Sequence, residues 1–151
     1  MSDLYEEFLS RRAGADPADG APSPARDLAL AGLFEREMGE GGPARFLWKF
    51  FPRWEKIVDA AERAYRAMDA RKQLAALPAV RAVLRENAPL CAKRLALAKN
   101  EEAPGQAFEV WQESAEERMA LPTEGLFFPD EPDLAARRLA YLEANRGTLL
   151  A

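Results

Sequence analysis

Residues 53–77, RWEKIVDAAERAYRAMDARKQLAAL, carry the pattern that decides the fold. Trp54, Ile57, Val58, Ala61, Tyr65 and Met68 recur at the three- and four-residue spacing of one helical face. The opposite face sets Asp59 four residues before Arg63 and Glu62 four before Arg66, acid ahead of base, the favourable order for an exposed pair. The spacing predicts a helix from Arg53 to about Leu77. Pro78, with no backbone donor, is expected to end it.

The rest of the chain agrees in class. Four valines, one isoleucine and two threonines stand against thirty alanines and sixteen arginines. Sheets draw on β-branched residues, whereas alanine, leucine, arginine and glutamate favour helices. The expectation is an all-α fold, an irregular bundle of five to seven short-to-medium helices. The excess of arginine over the five lysines points to a high-GC bacterial or phage genome.

Upstream, Ser23-Pro24 reads as N-cap and first helical position of a helix running to about Met38. Gly39 to Gly42 stops it. Residues 43–51 hold the densest aromatic cluster, with Phe46, Trp48, Phe50 and Phe51, and Pro52 breaks that element. Residues 3–12 form a short helix capped by Asp3, with Leu4, Tyr5, Phe8 and Leu9 on one face. A linker of three prolines and two glycines, residues 13–25, follows it. The division is therefore an N-terminal helix with linker, 1–25, and a single helical domain, 26–151.

Downstream, prolines punctuate. Short helices are expected over 79–87 and 89–99, then one over 106–120. Residues 121–133 form a loop with a hook at Leu126-Phe127-Phe128, and a last helix begins at Asp130 or Glu131 and stops at Asn145. In that last helix Arg138 is expected to contribute its stem to the core.

Composition excludes several chemistries. The chain has no histidine, which removes imidazole metal ligands and the usual nucleophile–base pairs. The single Cys91 forms no intrachain disulfide and suits a reducing compartment. No apolar run approaches the length of a membrane span, and the acidic start lacks a secretory leader, so a cytoplasmic location is expected. The glycines at 39, 41 and 42 lack the lysine of a phosphate-binding loop. Asp130, Glu131 and Asp133 read as an acidic helix start rather than a cation site. No catalytic residue, metal or cofactor is assigned, and the reading leans against an enzyme.

Charge is segregated. Residues 45–99 hold thirteen basic and five acidic residues, while residues 100–133 hold one basic and ten acidic ones. The two segments either neutralise each other or face charged partners. An acidic face would dock a basic protein surface or imitate nucleic acid; a basic face would take an anion.

Two functions follow as expectations. The first is a small non-catalytic interaction protein, an adaptor, regulator or chaperone that binds another protein or a second copy of itself. Its docking residues would be Leu4, Tyr5, Phe8, Leu9, Phe127 and Phe128. The alternative is a nucleic-acid-binding regulator using Arg45, Lys49, Arg53, Arg81, Arg85, Lys93 and Arg94. Within it, RFLWKFFPRWEK at 45–56 mixes aromatics for stacking with cations for phosphates, although the same mix makes a core with a solvated rim.

Overall fold

The computed structural model of the chain describes residues 2–12, 21–101 and 103–151. Among them are eight α-helices, one 3-10 turn and no strand. In chain order the helices are α1 (Asp3–Arg12), α2 (Pro24–Glu40), α3 (Gly42–Phe50), α4 (Trp54–Ala67), α5 (Arg71–Glu101), α6 (Pro104–Ala115), α7 (Pro132–Ala144) and α8 (Arg146–Leu149). The count is one above the expected range because the C-terminal residues form a further short turn of helix. Most of the linker lies outside the described residues, at 13–20.

Helix α2 is the centre. It packs most extensively against α4 and also touches α3, α8 and the 3-10 turn Glu124–Phe127. Its start follows the sequence rule, since Ser23 Oγ accepts from Arg26 N at 3.1 Å. Its end runs two residues beyond Met38, to Glu40. Gly42 then turns the chain at φ +75°, a conformation open to glycine, and α3 begins at once. In α1, Ser2 rather than Asp3 is the cap, because the Ser2 hydroxyl accepts from Tyr5 N at 3.2 Å.

The largest departure lies between residues 68 and 101. The single helix expected over 53–77 is broken at Met68–Ala70, where Asp69 takes a left-handed φ of 56°. Beyond it, the three pieces expected up to Leu77, over 79–87 and over 89–99 are one helix, α5, with Pro78 and Pro89 inside it. Both prolines are exposed. Each removes one bond to the carbonyl four residues back, and solvent can take up that group. The inner face of α5 supplies the compensation, with Leu77, Val80, Leu84 and Cys91 all buried.

Aromatic side chains fill the middle. Phe34 of α2 meets Phe46 at 5.1 Å and Phe127 at 5.5 Å between ring centroids, both edge to face. Trp48 stacks on Trp111 of α6 at 5.9 Å, and the Trp111 indole donates to the Ala44 carbonyl at 2.8 Å. RFLWKFFPRWEK is therefore a core with a charged rim: Phe46 and Trp54 are buried, and Trp48, Phe50 and Phe51 pack partly buried against that core.

Candidate functional site

Two places concentrate charge in different ways. The first is a buried cluster beneath α1. Glu35 falls on the apolar face of α2, seven residues after Leu28 and three before Met38. Its carboxylate takes Arg138 of α7 in a short ion pair, and the Tyr65 hydroxyl donates to it at 3.1 Å. Arg138 also donates to the Pro129 carbonyl at 3.2 Å, and its guanidinium lies 4.3 Å from the Tyr5 ring centroid. Burial pushes Glu35 up to about 7, opposed by Arg138 and the Tyr65 hydrogen bond. Burial, with Glu35 nearby, likewise pushes Tyr5 up to about 12 and Tyr65 well above its ordinary value. Arg138 is thus buried by its charged head as well as its stem, which corrects the sequence expectation.

Beside this cluster lies a cleft of about 440 Å³, walled by Tyr5, Pro129, Ala135, Ala136, Arg138 and Leu139. Glu35 is 1% exposed, so the perturbed carboxyl does not reach solvent. A carboxylate held by an arginine and a tyrosine, with no access for substrate, has the geometry of a structural ion pair.

The residues expected to dock a partner are largely taken up by the chain itself. Leu4, Tyr5 and Phe8 are buried and Leu9 is partly buried, because α1 lies on α7. Arg12 closes its far end by donating to the Leu149 carbonyl at 3.4 Å. Gly32 on α2 makes room for this docking: a side chain there would meet the Tyr5 hydroxyl at 2.5 Å. Phe127 is fully buried, Phe128 is partly so, and the hook is fastened by Gln73, which donates to the Leu126 carbonyl at 2.7 Å. As an exposed docking face, then, this set is corrected: apolar residues that large find the core of their own chain first.

Most of the expected anion-binding residues are also engaged. Arg45 and Lys49 both reach Glu37, at 2.9 Å each, and Arg45 reaches Glu40 at 3.1 Å. Arg81 bridges Asp59 and Glu62 at 2.7 and 3.2 Å, and Arg85 pairs with Glu55 at 3.2 Å. Arg53 is exposed and has interactions of its own. Lys93 and Arg94 differ from the rest: they lie on the distal part of α5 and make no ion pair among the described residues. The short helices expected over 79–87 and 89–99 are not separate elements that could present these cations to a groove, since both belong to one continuous helix.

That distal part is the second place. Helices α5 and α6 pack on each other as a hairpin, and Arg118 just beyond α6 donates to Asn87 of α5 at 2.7 Å. Among the described residues, the exposed large hydrophobic side chains are Leu90 and Leu97, both on α5 here. On α6 and the turn that follows, Glu109, Glu113, Glu116 and Glu117 are exposed and make no ion pair among the described residues. Sequence reading registered this acidic segment as a net charge but missed the leucines, because their exposure depends on α5 running through Pro89.

The remaining candidates are structural. Burial pushes the Cys91 thiol up to about 12, the reverse of a reactive thiolate. Glu131 caps α7, accepting from Leu134 N at 2.7 Å, and Asp133 pairs with Arg137 at 3.0 Å. No group of three metal-ligating side chains occurs among the described residues, and no described helix is long and apolar enough to cross a membrane.

With this architecture in place, comparison with protein families gives one result. Residues 19–145 match the family described as DMP19-like protein, and the chain belongs to that family. The match takes in α2 to α7 and leaves α1 and α8 outside it. Comparisons with curated proteins and with solved structures give no match.

Proposed function

We propose that the chain is a small non-catalytic interaction protein, an adaptor, regulator or chaperone of a bacterial or phage cytoplasm, that binds another protein through the outer side of the α5–α6 hairpin. One observation carries this reading: exposed apolar side chains coincide there with unmatched charge. Leu90 and Leu97 are 38% and 39% exposed, beside Lys93 and Arg94 and next to the acidic row of α6. Elsewhere Arg45 and Lys49 of α3 and Arg81 and Arg85 of α5 find carboxylates in their own chain. An apolar centre with a charged surround is the composition of a protein-binding patch. The non-catalytic part rests on the burial of Glu35 and on the lack of histidine.

The test is a pull-down with the full chain from its host lysate, with and without nuclease, set against the double substitution Leu90→Asp and Leu97→Asp. The expected result is a discrete protein partner that survives nuclease and is lost in the double variant. Partners that vanish on nuclease treatment would favour nucleic-acid binding instead, and capture unaffected by the substitutions would remove the hairpin from the reading.

A further inference from the structure

The cleft beside the buried cluster takes no part in the hairpin surface. Its apolar walls are Tyr5 of α1, Pro129, and Ala135, Ala136 and Leu139 of α7. The two alanines make the room, because a longer side chain one turn before Leu139 would reach into the same space. A volume of about 440 Å³ falls within the range of small-molecule sites, about 300–1,000 Å³.

Arg138 gives this apolar recess a directional group. It is 2% exposed, and its two terminal nitrogens donate to Glu35 and to the Pro129 carbonyl. Its Nε is buried and has no acceptor among the described residues. Of the five buried side-chain polar atoms without a partner there, it alone belongs to a residue that lines the cleft. A buried donor left unpaired is costly, and folded chains pair nearly all of theirs. The Tyr5 ring, 4.3 Å from the guanidinium, covers one of its faces and helps to fix it. The charges nearby cancel: Arg138 and Arg36, which both act on Tyr5, stand against Glu35 and against exposed Asp130 at the edge of the cleft. An ionic head group would leave a charge unmatched in an apolar recess. A carbonyl oxygen accepts from Nε and leaves the balance as it is.

We infer that this cleft binds a small neutral acyl compound, an amide, ester or ketone, whose carbonyl oxygen accepts from Arg138 Nε while its hydrocarbon body lies against Ala135, Ala136, Leu139 and Tyr5. The site is independent of the hairpin. Because its walls come from both α1 and α7, the bound compound also ties α1 to the body of the molecule.

The experiment is a titration of the full chain, followed by backbone amide shifts in heteronuclear NMR. The probes are hexanamide, hexanoate and hexylammonium, which share a tail and differ in the charge of the head. Hexanamide is expected to bind with Kd below about 1 mM and at least about tenfold more tightly than either ion. The amides of Asp130, Ala135, Ala136 and Leu139 should move. Ala136→Phe, at an exposed position of α7, fills the cleft and should abolish binding. Glu35→Leu with Arg138→Met keeps the apolar walls and removes the donor, and should weaken hexanamide about tenfold. Circular dichroism and melting confirm that both variants are folded. No binding of hexanamide, or shifts confined to other parts of the molecule, overturns the inference. So does tighter binding of either ion, or undiminished binding of hexanamide by both folded variants. Leu90→Asp with Leu97→Asp should leave hexanamide binding unchanged, and its loss there would place the compound on the hairpin and overturn the inference.

Discussion

Helices α2 and α6 are both acidic, and they use their carboxylates in opposite ways. On α2, Asp27, Glu35 and Glu37 are buried, and each receives a cation from another helix: Arg63, Arg138, and Arg45 with Lys49. These pairs tie α3, α4 and α7 to the central helix at fixed positions. On α6, Glu109 and Glu113 are exposed and pair with no cation among the described residues. A buried ion pair contributes little net stability over an apolar pair of the same shape, but it strongly disfavours any arrangement that strands one member. The α2 acids therefore act on which helices pack together, whereas Glu109 and Glu113 of α6 take no part in that selection.

The contrast can be broken most forcefully at Arg138. Arg138→Ala strands Glu35 in the core, and the expected loss is about 3–5 kcal/mol by denaturant unfolding. Replacing both members together, Glu35→Leu with Arg138→Met, should recover most of that loss. If the double substitution were as damaging as the single one, the pair would not be acting as a unit.

A smaller effect separates the two helices by pH. Glu35 has a folded value of about 7 against an ordinary 4.5. Between those values the folded chain keeps a proton that the unfolded chain has released. Its contribution to stability therefore falls as pH rises from 4.5 to 7 and is level above that. Relative to Glu35→Gln, the natural chain should lose about 2–3 kcal/mol across this window, read from denaturant midpoints at successive pH values. Parallel pH profiles for the two chains would remove Glu35 from the titrating core.

The smallest effect is the sharpest for α6. Glu113→Lys is expected to change stability by less than about 0.5 kcal/mol, as for an exposed residue without a structural partner. A change above about 1 kcal/mol in thermal or denaturant unfolding would mean that the acidic row serves the fold after all.

Much of the architecture was legible in the sequence, for reasons that differ by element. The cap at Ser23 and the aromatic cluster around Phe46 are local signals, and α2 and α3 follow from them. The all-α class follows from composition. Helix α5 was not legible, because Pro78 and Pro89 read as stops when only propensity is weighed. What overrides them is the buried inner face, a tertiary term that a local rule cannot include.

The charged cluster was half visible. Glu35 stands at an apolar position of α2, and Arg138 at an apolar position of α7, four residues each side of Leu134 and Leu142. Each polar residue in such a register signals a buried partner, but 103 positions of chain separate the two, and nothing local pairs them. The apolar face of α1 was legible in the sequence, but it was expected to dock a partner or a second copy, and it lies on α7 of its own chain instead. Periodicity shows that a face must be covered and carries no mark of what covers it.

Helix α5, at 31 residues, is about 46 Å long. Its two prolines are eleven residues apart, within about 20° of three full turns. The two missing backbone bonds thus lie on the same line along the solvent side, and the bends they permit add in one plane instead of cancelling. Any bend the prolines permit is therefore directed the same way, with its convex side to water. Moving either proline by two residues would set the two bends about 200° apart around the helix axis, so that they oppose each other instead of adding.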